Sequence, residues 1–190
     1  MEMTFAMGAV IISYIAALLG GRGKQKTGGI ALKKINQWID RFAYSHPRFG
    51  IPNLMLYIVI ANAATYILSM FAGSAALSFL AFDLYHVLHG ELWRLVTFVL
   101  LPFTYHPISL LIMLSFYYFV GGTLEREWGT AKFTLYYLCG MVLSILSTII
   151  LSLATGYYGW SLSDAYYINL TLFLAFAALY PDAQIMFYMI

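Results

Sequence analysis

The chain has few charges and almost no cysteine. Charged residues make up only 9% of the 190 residues, whereas a soluble domain carries about 25%. The single cysteine, Cys139, excludes an internal disulfide. A CxxC pair, a Walker loop and a dinucleotide fingerprint are all missing, so no metal, cofactor or nucleic-acid partner is expected. With 62% hydrophobic residues and a mean hydropathy of +0.80, the chain is predicted to have the lipid bilayer as its main solvent.

Long uncharged stretches predict the membrane-spanning helices, because a span needs about 20 mostly apolar residues. A last apolar run at 185–190 is too short to cross a hydrocarbon core about 30 Å thick. We interpret this run as the start of a fifth helix in a C-terminally truncated chain, the alternative being a stub packed against the other helices. The four predicted spans are 52–73, 108–122, 133–155 and 166–180.

The region before the first span, residues 1–49, is predicted to be separate from a transmembrane domain at 50–190. Its apolar first part, 5–19, is either a short extra span or a stretch included because the start of the protein was assigned too far upstream. Seven of the ten basic residues lie in 22–48, which places this segment in the cytoplasm. Within it, the periodicity of 30–45 predicts an amphipathic helix on the inner leaflet, or else a solvated linker helix.

The same rule predicts the orientation of the loops. Residues 123–132 contain Arg126 and Lys132 and should be cytoplasmic, whereas 74–107 and 156–165 should lie outside. The loop at 74–107 mixes apolar and polar residues, so we expect it to sit half in the outer leaflet.

Arg94 is the only lysine or arginine in that outer loop. Its position beside Trp93 suggests an interface role, because tryptophan favours the headgroup level. The guanidinium is expected to reach lipid phosphates or the carbonyls at a helix C-terminus. A passive membrane anchor is the alternative.

Two stretches, GELWRLVTFVLLP and GGTLEREWGTAKFTLYYLCG, together resemble the rhomboid superfamily. The resemblance covers residues 50–190 and implies a core of six helices, of which this chain would contain four and the start of a fifth. The rhomboid pattern combines a Trp-Arg pair in the first outer loop with a Gly-Gly-x-x-Glu stretch that ends the second span, followed by a further glycine. The matching residues are Glu91, Trp93 and Arg94 in the outer loop, and Gly121, Gly122, Glu125 and Gly129 at the helix end.

These helix-end residues also have roles that can be read from their chemistry. Gly121 and Gly122 are predicted to end the second helix and to let backbones approach closely. Glu125 is expected to accept hydrogen bonds from the next helix. Further small residues predict tight helix contacts in the third and fourth spans; they are Gly140, Ser144, Ala175, Ala177 and Ala178.

The resemblance implies a serine protease, but the protease residues are not found. An active rhomboid has its nucleophile in a Gly-x-Ser-Gly stretch that opens the fourth span, where this chain has Tyr166 and no serine or glycine. The polar helpers of the second span fall at Ser109 and Met113. We therefore predict no catalytic residue. Asn169, the polar amide of the fourth span, is expected to contact a neighbouring helix or to hold a client helix.

The sequence therefore predicts an all-α, polytopic membrane helix bundle of the rhomboid-like type without protease activity. It resembles the derlins and other rhomboid pseudoproteases, and most of all small bacterial rhomboid-like proteins, which implies a bacterial cytoplasmic membrane. Its expected partners are the bilayer and the transmembrane segments of client proteins. The alternatives are an intramembrane serine protease with an unrecognised nucleophile and a structural subunit of a membrane complex. The client and the oligomeric state are not predicted.

Overall fold

The computed structural model describes residues 37, 41, 44–45, 49–156, 161–162 and 165–180. The predicted apolar segment at 5–19 and the final run at 185–190 lie outside these residues. So does most of the predicted amphipathic helix at 30–45, of which the four described positions are helical.

The described chain is a bundle of helices joined by short connections. Among the described residues, three helices are long and apolar enough to cross a membrane, which confirms the predicted all-α polytopic membrane bundle. The fourth long element is shorter, since its 14 residues extend about 21 Å. In chain order the elements are α1 (Leu54–Leu80), β1 (Phe82–Asp83), α2 (Leu84–Leu88), α3 (Arg94–Thr97), a 3-10 turn (Phe98–Leu100), α4 (Pro107–Trp128), α5 (Thr130–Thr155), β2 (Ser161–Leu162) and α6 (Tyr166–Leu179).

The second membrane helix is longer than predicted. We expected it to end at Gly121 and Gly122, but both glycines lie inside α4, which continues to Trp128. The predicted link at 123–132 is therefore almost entirely helical, and only Gly129 separates α4 from α5. Leu, Glu and Arg favour the helix after the glycine pair. Gly129 ends it because its φ of +80° is a conformation that a residue with a Cβ rarely adopts.

The first membrane helix must bend in its second half. Asn62 donates to the Val99 carbonyl at 3.2 Å, and Thr97 donates to the Leu80 carbonyl at 2.8 Å. A straight helix would hold residues 62 and 80 about 27 Å apart. The path from residue 62 through Val99 and Thr97 to residue 80 consists of two residues of backbone, two side chains and two hydrogen bonds, which together span at most about 24 Å. Because this distance is shorter than about 27 Å, the helix cannot be straight between residues 62 and 80. The predicted span ended at Gly73, but the helix continues to Leu80.

The helices pack closely where small residues face large ones. Gly121 on α4 faces the buried side chain of Met55 on α1, and Gly140 on α5 faces Ile168 on α6. In a bilayer such close approach is a main source of helix association, because lipid tails are as apolar as the side chains. Of the three alanines predicted to pack in α6, only Ala175 is buried, whereas 177 and 178 are exposed.

Hydrogen bonds join all four long helices at the end of the bundle where α1 begins, which we call the inner end. One carboxylate oxygen of Glu125 accepts from the backbone N–H of Asn53 at 2.8 Å and from the Thr130 hydroxyl at 3.2 Å. The contact to Thr130 is the predicted bond to the next helix. The Tyr180 hydroxyl donates to Glu127 at 2.7 Å, and this hydrogen bond raises the pKa of Tyr180.

The orientation of the bundle can be tested with single cysteines. On a Cys139→Ser background, we expect a cysteine at Glu127 to react with an impermeant maleimide from the cytosolic face of sealed membrane vesicles. A cysteine at Leu88, which is 71% exposed in the outer loop, should react only after the membrane is opened. The physical basis is the concentration of basic residues before α1. Labelling of position 127 from the outer side alone would contradict this orientation.

Candidate functional site

Arg94 closes the C-terminal end of α1. Its side chain is buried, and one guanidinium nitrogen donates to the carbonyls of Ser78 at 2.6 Å and Ala81 at 2.7 Å. A second nitrogen donates to the carboxylate of Glu91 at 2.5 Å. The carbonyls at a helix C-terminus have no partner within the helix and carry partial negative charge, so a cation is favoured there. Of the two contacts predicted for Arg94, the structure therefore contains the one to helix carbonyls.

Trp93 lies on the outside of the same cluster. Its indole is 44% exposed and packs against the ring of Phe79, with the centroids 5.2 Å apart. The Arg94 guanidinium lies 5.6 Å from the same Phe79 ring, which adds a cation–π contact. The tryptophan is thus half-exposed, whereas the arginine beside it is buried and points into the protein.

Two polar residues in the middle of α1 hold the segment after Arg94. Asn62 donates to Val99, and Thr65 donates to the Leu100 carbonyl at 2.6 Å. These carbonyls belong to a 3-10 turn that packs against a membrane-spanning helix, where an unpaired backbone group is costly. Sequence reasoning missed both residues. The sequence feature that could have identified them is their spacing: two polar residues three positions apart in a mostly apolar span lie on one helix face.

The residues at the positions where the resemblance places the protease site make packing contacts or intrahelical hydrogen bonds, or are exposed on a helix surface. Tyr166 stacks on Phe103 with the ring centroids 4.4 Å apart, so aromatic rings occupy the entrance where the resemblance places a nucleophile. Thr171 is fully buried, and its hydroxyl donates to the Ile168 carbonyl at 2.6 Å. Ser109 is exposed on the surface of α4.

A cavity of about 180 Å³ lies between α4 and α6 and opens on the side of the bundle. Its walls are mostly aromatic, and the rings of Phe116 and Phe173 lie 5.4 Å apart across the two helices. One amide, that of Asn169, lies among them. We call this the lateral cavity; it is lined by Phe116, Tyr117, Tyr166, Asn169, Leu170 and Phe173.

The side-chain amide of Asn169 makes fewer hydrogen bonds within the protein than its oxygen and nitrogen could form. Its oxygen accepts from the Tyr137 hydroxyl on α5 at a long 3.4 Å, which is the predicted contact to a neighbouring helix. Its nitrogen donates to no partner within the described residues. The residue is 5% exposed. The Asn169 amide therefore lines the lateral cavity with hydrogen-bonding capacity that its contact to Tyr137 does not use up.

The residues predicted from the resemblance fall into separate groups. Glu91, Trp93 and Arg94 lie together at the end of α1, whereas Glu125 lies at the inner end with Gly121 and Gly122 on the same helix. Asn169 is in neither group, and no group of three metal-ligating side chains occurs among the described residues.

A comparison with known families matches residues 47–190, about three quarters of the chain, to the family described as eukaryotic integral membrane protein (DUF1751). No curated protein and no solved structure matches the chain. The predicted location in a membrane agrees with this family, but the bacterial cytoplasmic membrane is not borne out because the family is eukaryotic. The chain belongs to this family of eukaryotic integral membrane proteins.

Proposed function

We propose that the protein is a rhomboid-like membrane protein without protease activity, and that it binds transmembrane segments of client proteins at the lateral cavity. The observation that carries the proposal is the amide of Asn169, whose nitrogen has no acceptor among the described residues and lines a cavity that opens to the side. A transmembrane segment that moves in the bilayer plane reaches such an opening without leaving the lipid.

The chemistry of the cavity suits a membrane helix with a polar group in its middle. The Asn169 amide can donate to a client side chain or to a backbone carbonyl that has lost its helical partner, and water does not compete for the bond inside the bilayer. The surrounding rings of Phe116 and Phe173 offer van der Waals contact. Interhelical hydrogen bonds in membranes contribute about 0.6–2 kcal/mol. Binding at this site is therefore weak and reversible, and it discriminates between polar and wholly apolar spans.

The outer loop supports the rhomboid-like part of the proposal. The Trp-Arg pair lies at the end of the first span, and the Gly-Gly-x-x-Glu stretch brings the second span against the first through Gly121 and Met55. Both motifs therefore connect helices in the described chain, in the order that the resemblance implies.

The chemistry of covalent catalysis supports binding rather than cleavage. A serine nucleophile needs a base within about 2.6–3.2 Å and donors aimed at the developing oxyanion. The fourth span contains no serine, and its only aliphatic hydroxyl, that of Thr171, is fully buried and bonded to its own helix. A structural subunit is the second candidate, favoured by the large apolar surface of the spans.

The proposal is tested with a defined guest. The purified protein is reconstituted in vesicles with a labelled poly-Leu/Ala transmembrane peptide that carries one central asparagine, and with the same peptide without it. We expect the asparagine peptide to bind about 3–30-fold more tightly, which corresponds to one hydrogen bond in the bilayer. Asn169→Leu should abolish this preference. The matched control is Ser115→Leu, an exposed position on α4.

Three outcomes separate the candidate functions. Equal binding of both peptides, or an unchanged preference in Asn169→Leu, contradicts client binding at the lateral cavity and favours the structural role. Cleavage of either peptide, accompanied by serine labelling with a fluorophosphonate probe, moves the protein to the enzyme class. A preference that is lost only in Asn169→Leu supports the proposal.

A further inference from the structure

A second cavity lies at the inner end of the bundle and is separate from the lateral cavity. It encloses about 210 Å³ between the start of α1 and the end of α4. We call it the inner cavity; the residues that matter for its chemistry are Leu56, Tyr118, Gly122, Glu125 and Arg126.

The inner cavity opens towards the surroundings of the bundle rather than towards its core. Leu56 is 36% exposed and Tyr118 is 50% exposed, and both lie on the outer surface of membrane-spanning helices. A Cβ built on Gly122 meets no atom within 4 Å, so the glycine leaves open space. Because α1 begins after Asn53 and α4 ends at Trp128 near this level, we place the opening where a span meets the headgroup region.

The lining contains one negative and one positive side chain that do not pair. Glu125 uses one carboxylate oxygen for Asn53 and Thr130, and within the described part of the chain neither Glu125 nor Arg126 forms an ion pair. Neighbouring positions on a helix point in different directions, which keeps the two charges apart. The cavity is thus lined by one acidic and one basic residue that do not pair with each other.

We propose that the inner cavity binds the headgroup of a zwitterionic phospholipid with a primary amine, of the phosphatidylethanolamine class. The phosphate lies at Arg126, since a guanidinium binds phosphate oxygens with two parallel hydrogen bonds. The ammonium lies at Glu125, whose carboxylate accepts hydrogen bonds that a quaternary ammonium cannot donate. The acyl chains leave along Leu56 and Tyr118 into the bilayer. This inference does not depend on client binding at the lateral cavity.

The experiment measures lipid binding to the purified protein in detergent by native mass spectrometry. Phosphatidylethanolamine, phosphatidylcholine and phosphatidylglycerol with identical acyl chains are compared. We expect the ethanolamine lipid to bind about tenfold more tightly than the other two, because only this lipid satisfies both charges. Glu125→Gln should remove that preference and leave phosphatidylglycerol bound at least as well. Arg126→Gln should weaken all three lipids. Glu127→Gln, outside the cavity lining, should change nothing.

A further variant separates binding from folding. Gly122→Leu fills the inner cavity without altering its charges, and no atom stands where its Cβ would lie. We expect this variant to lose the ethanolamine lipid while keeping its thermal stability. Retention of the lipid with wild-type affinity in Gly122→Leu would overturn the proposal, as would equal affinity of the wild-type protein for the three lipids.

Soluble competitors distinguish a lipid site from a general anion site. Phosphoethanolamine at millimolar concentration should displace the bound lipid, whereas inorganic phosphate at the same concentration should not, because it carries no ammonium for Glu125. Equal competition by inorganic phosphate would show that the cavity recognises only an anion, and this too would contradict the proposal.

Discussion

Replacement of Arg94 by alanine is expected to lower the stability of the protein by about 3 kcal/mol, because removing one partner of a buried charge pair leaves the other without compensation. The substitution would leave Glu91 without its cation and would leave the carbonyls of Ser78 and Ala81 without a donor. In a chain of this size, such a loss corresponds to roughly 10 °C in melting temperature. The readouts are thermal unfolding in detergent and protease sensitivity of residues 74–107.

Two further variants show which property of Arg94 matters. Arg94→Lys keeps the charge but lacks the planar fork that reaches two carbonyls and a carboxylate together, so we expect about half of the loss. The matched control is Leu88→Ala, since Leu88 is 71% exposed in the same loop and its truncation removes little packing. Wild-type protease sensitivity in both arginine variants would show that Arg94 is a passive anchor.

Replacement of Gly121 by leucine is expected to cost about 3 kcal/mol, whereas the same change at Gly122 should cost almost nothing. A Cβ on Gly121 would lie 2.4 Å from Cγ and 2.8 Å from Cβ of Met55, so the added side chain overlaps atoms that cannot all move. Met55 is only 1% exposed and has little space in which to withdraw. Both changes replace glycine within one helix, so they gain the same helix propensity, about 1 kcal/mol.

The pair is measured by thermal unfolding in detergent and by the yield of membrane-inserted protein. Met55→Ala in the Gly121→Leu background should restore part of the lost stability, since it clears the space that the leucine needs. A coupling of about 0.5–3 kcal/mol between the two positions is the range for residues in direct contact. Equal stability of the two leucine variants would contradict the packing of α4 on α1.

The sequence predicted the existence and the beginnings of the helices better than their ends. The span at 133–155 and the helix beginning at Tyr166 are close to the observed elements. The end of α4 was predicted six residues too early, because two adjacent glycines favour a helix end in water. In the folded protein the contact of Gly121 with Met55 reverses that local preference.

The candidate sites depended even more on tertiary structure. The sequence indicated Arg94, Glu125 and Asn169, because a polar or charged residue in a sparsely charged membrane protein is conspicuous. The roles of Asn62 and Thr65 were missed, since their acceptors at Val99 and Leu100 are about 35 residues away in the chain. No local pattern joins such partners.

The sequence by itself determined that the chain is a membrane protein, that its long helices are apolar spans and that its charged residues lie near the ends of these spans. These properties follow from composition and from the cost of moving charged groups into lipid. Only the tertiary structure decided that Arg94 turns inward to the end of α1, that α1 bends, and that the lateral and inner cavities exist. Each of these depends on the distance between residues far apart in sequence, and a pattern of hydrophobicity along one chain contains no such distances.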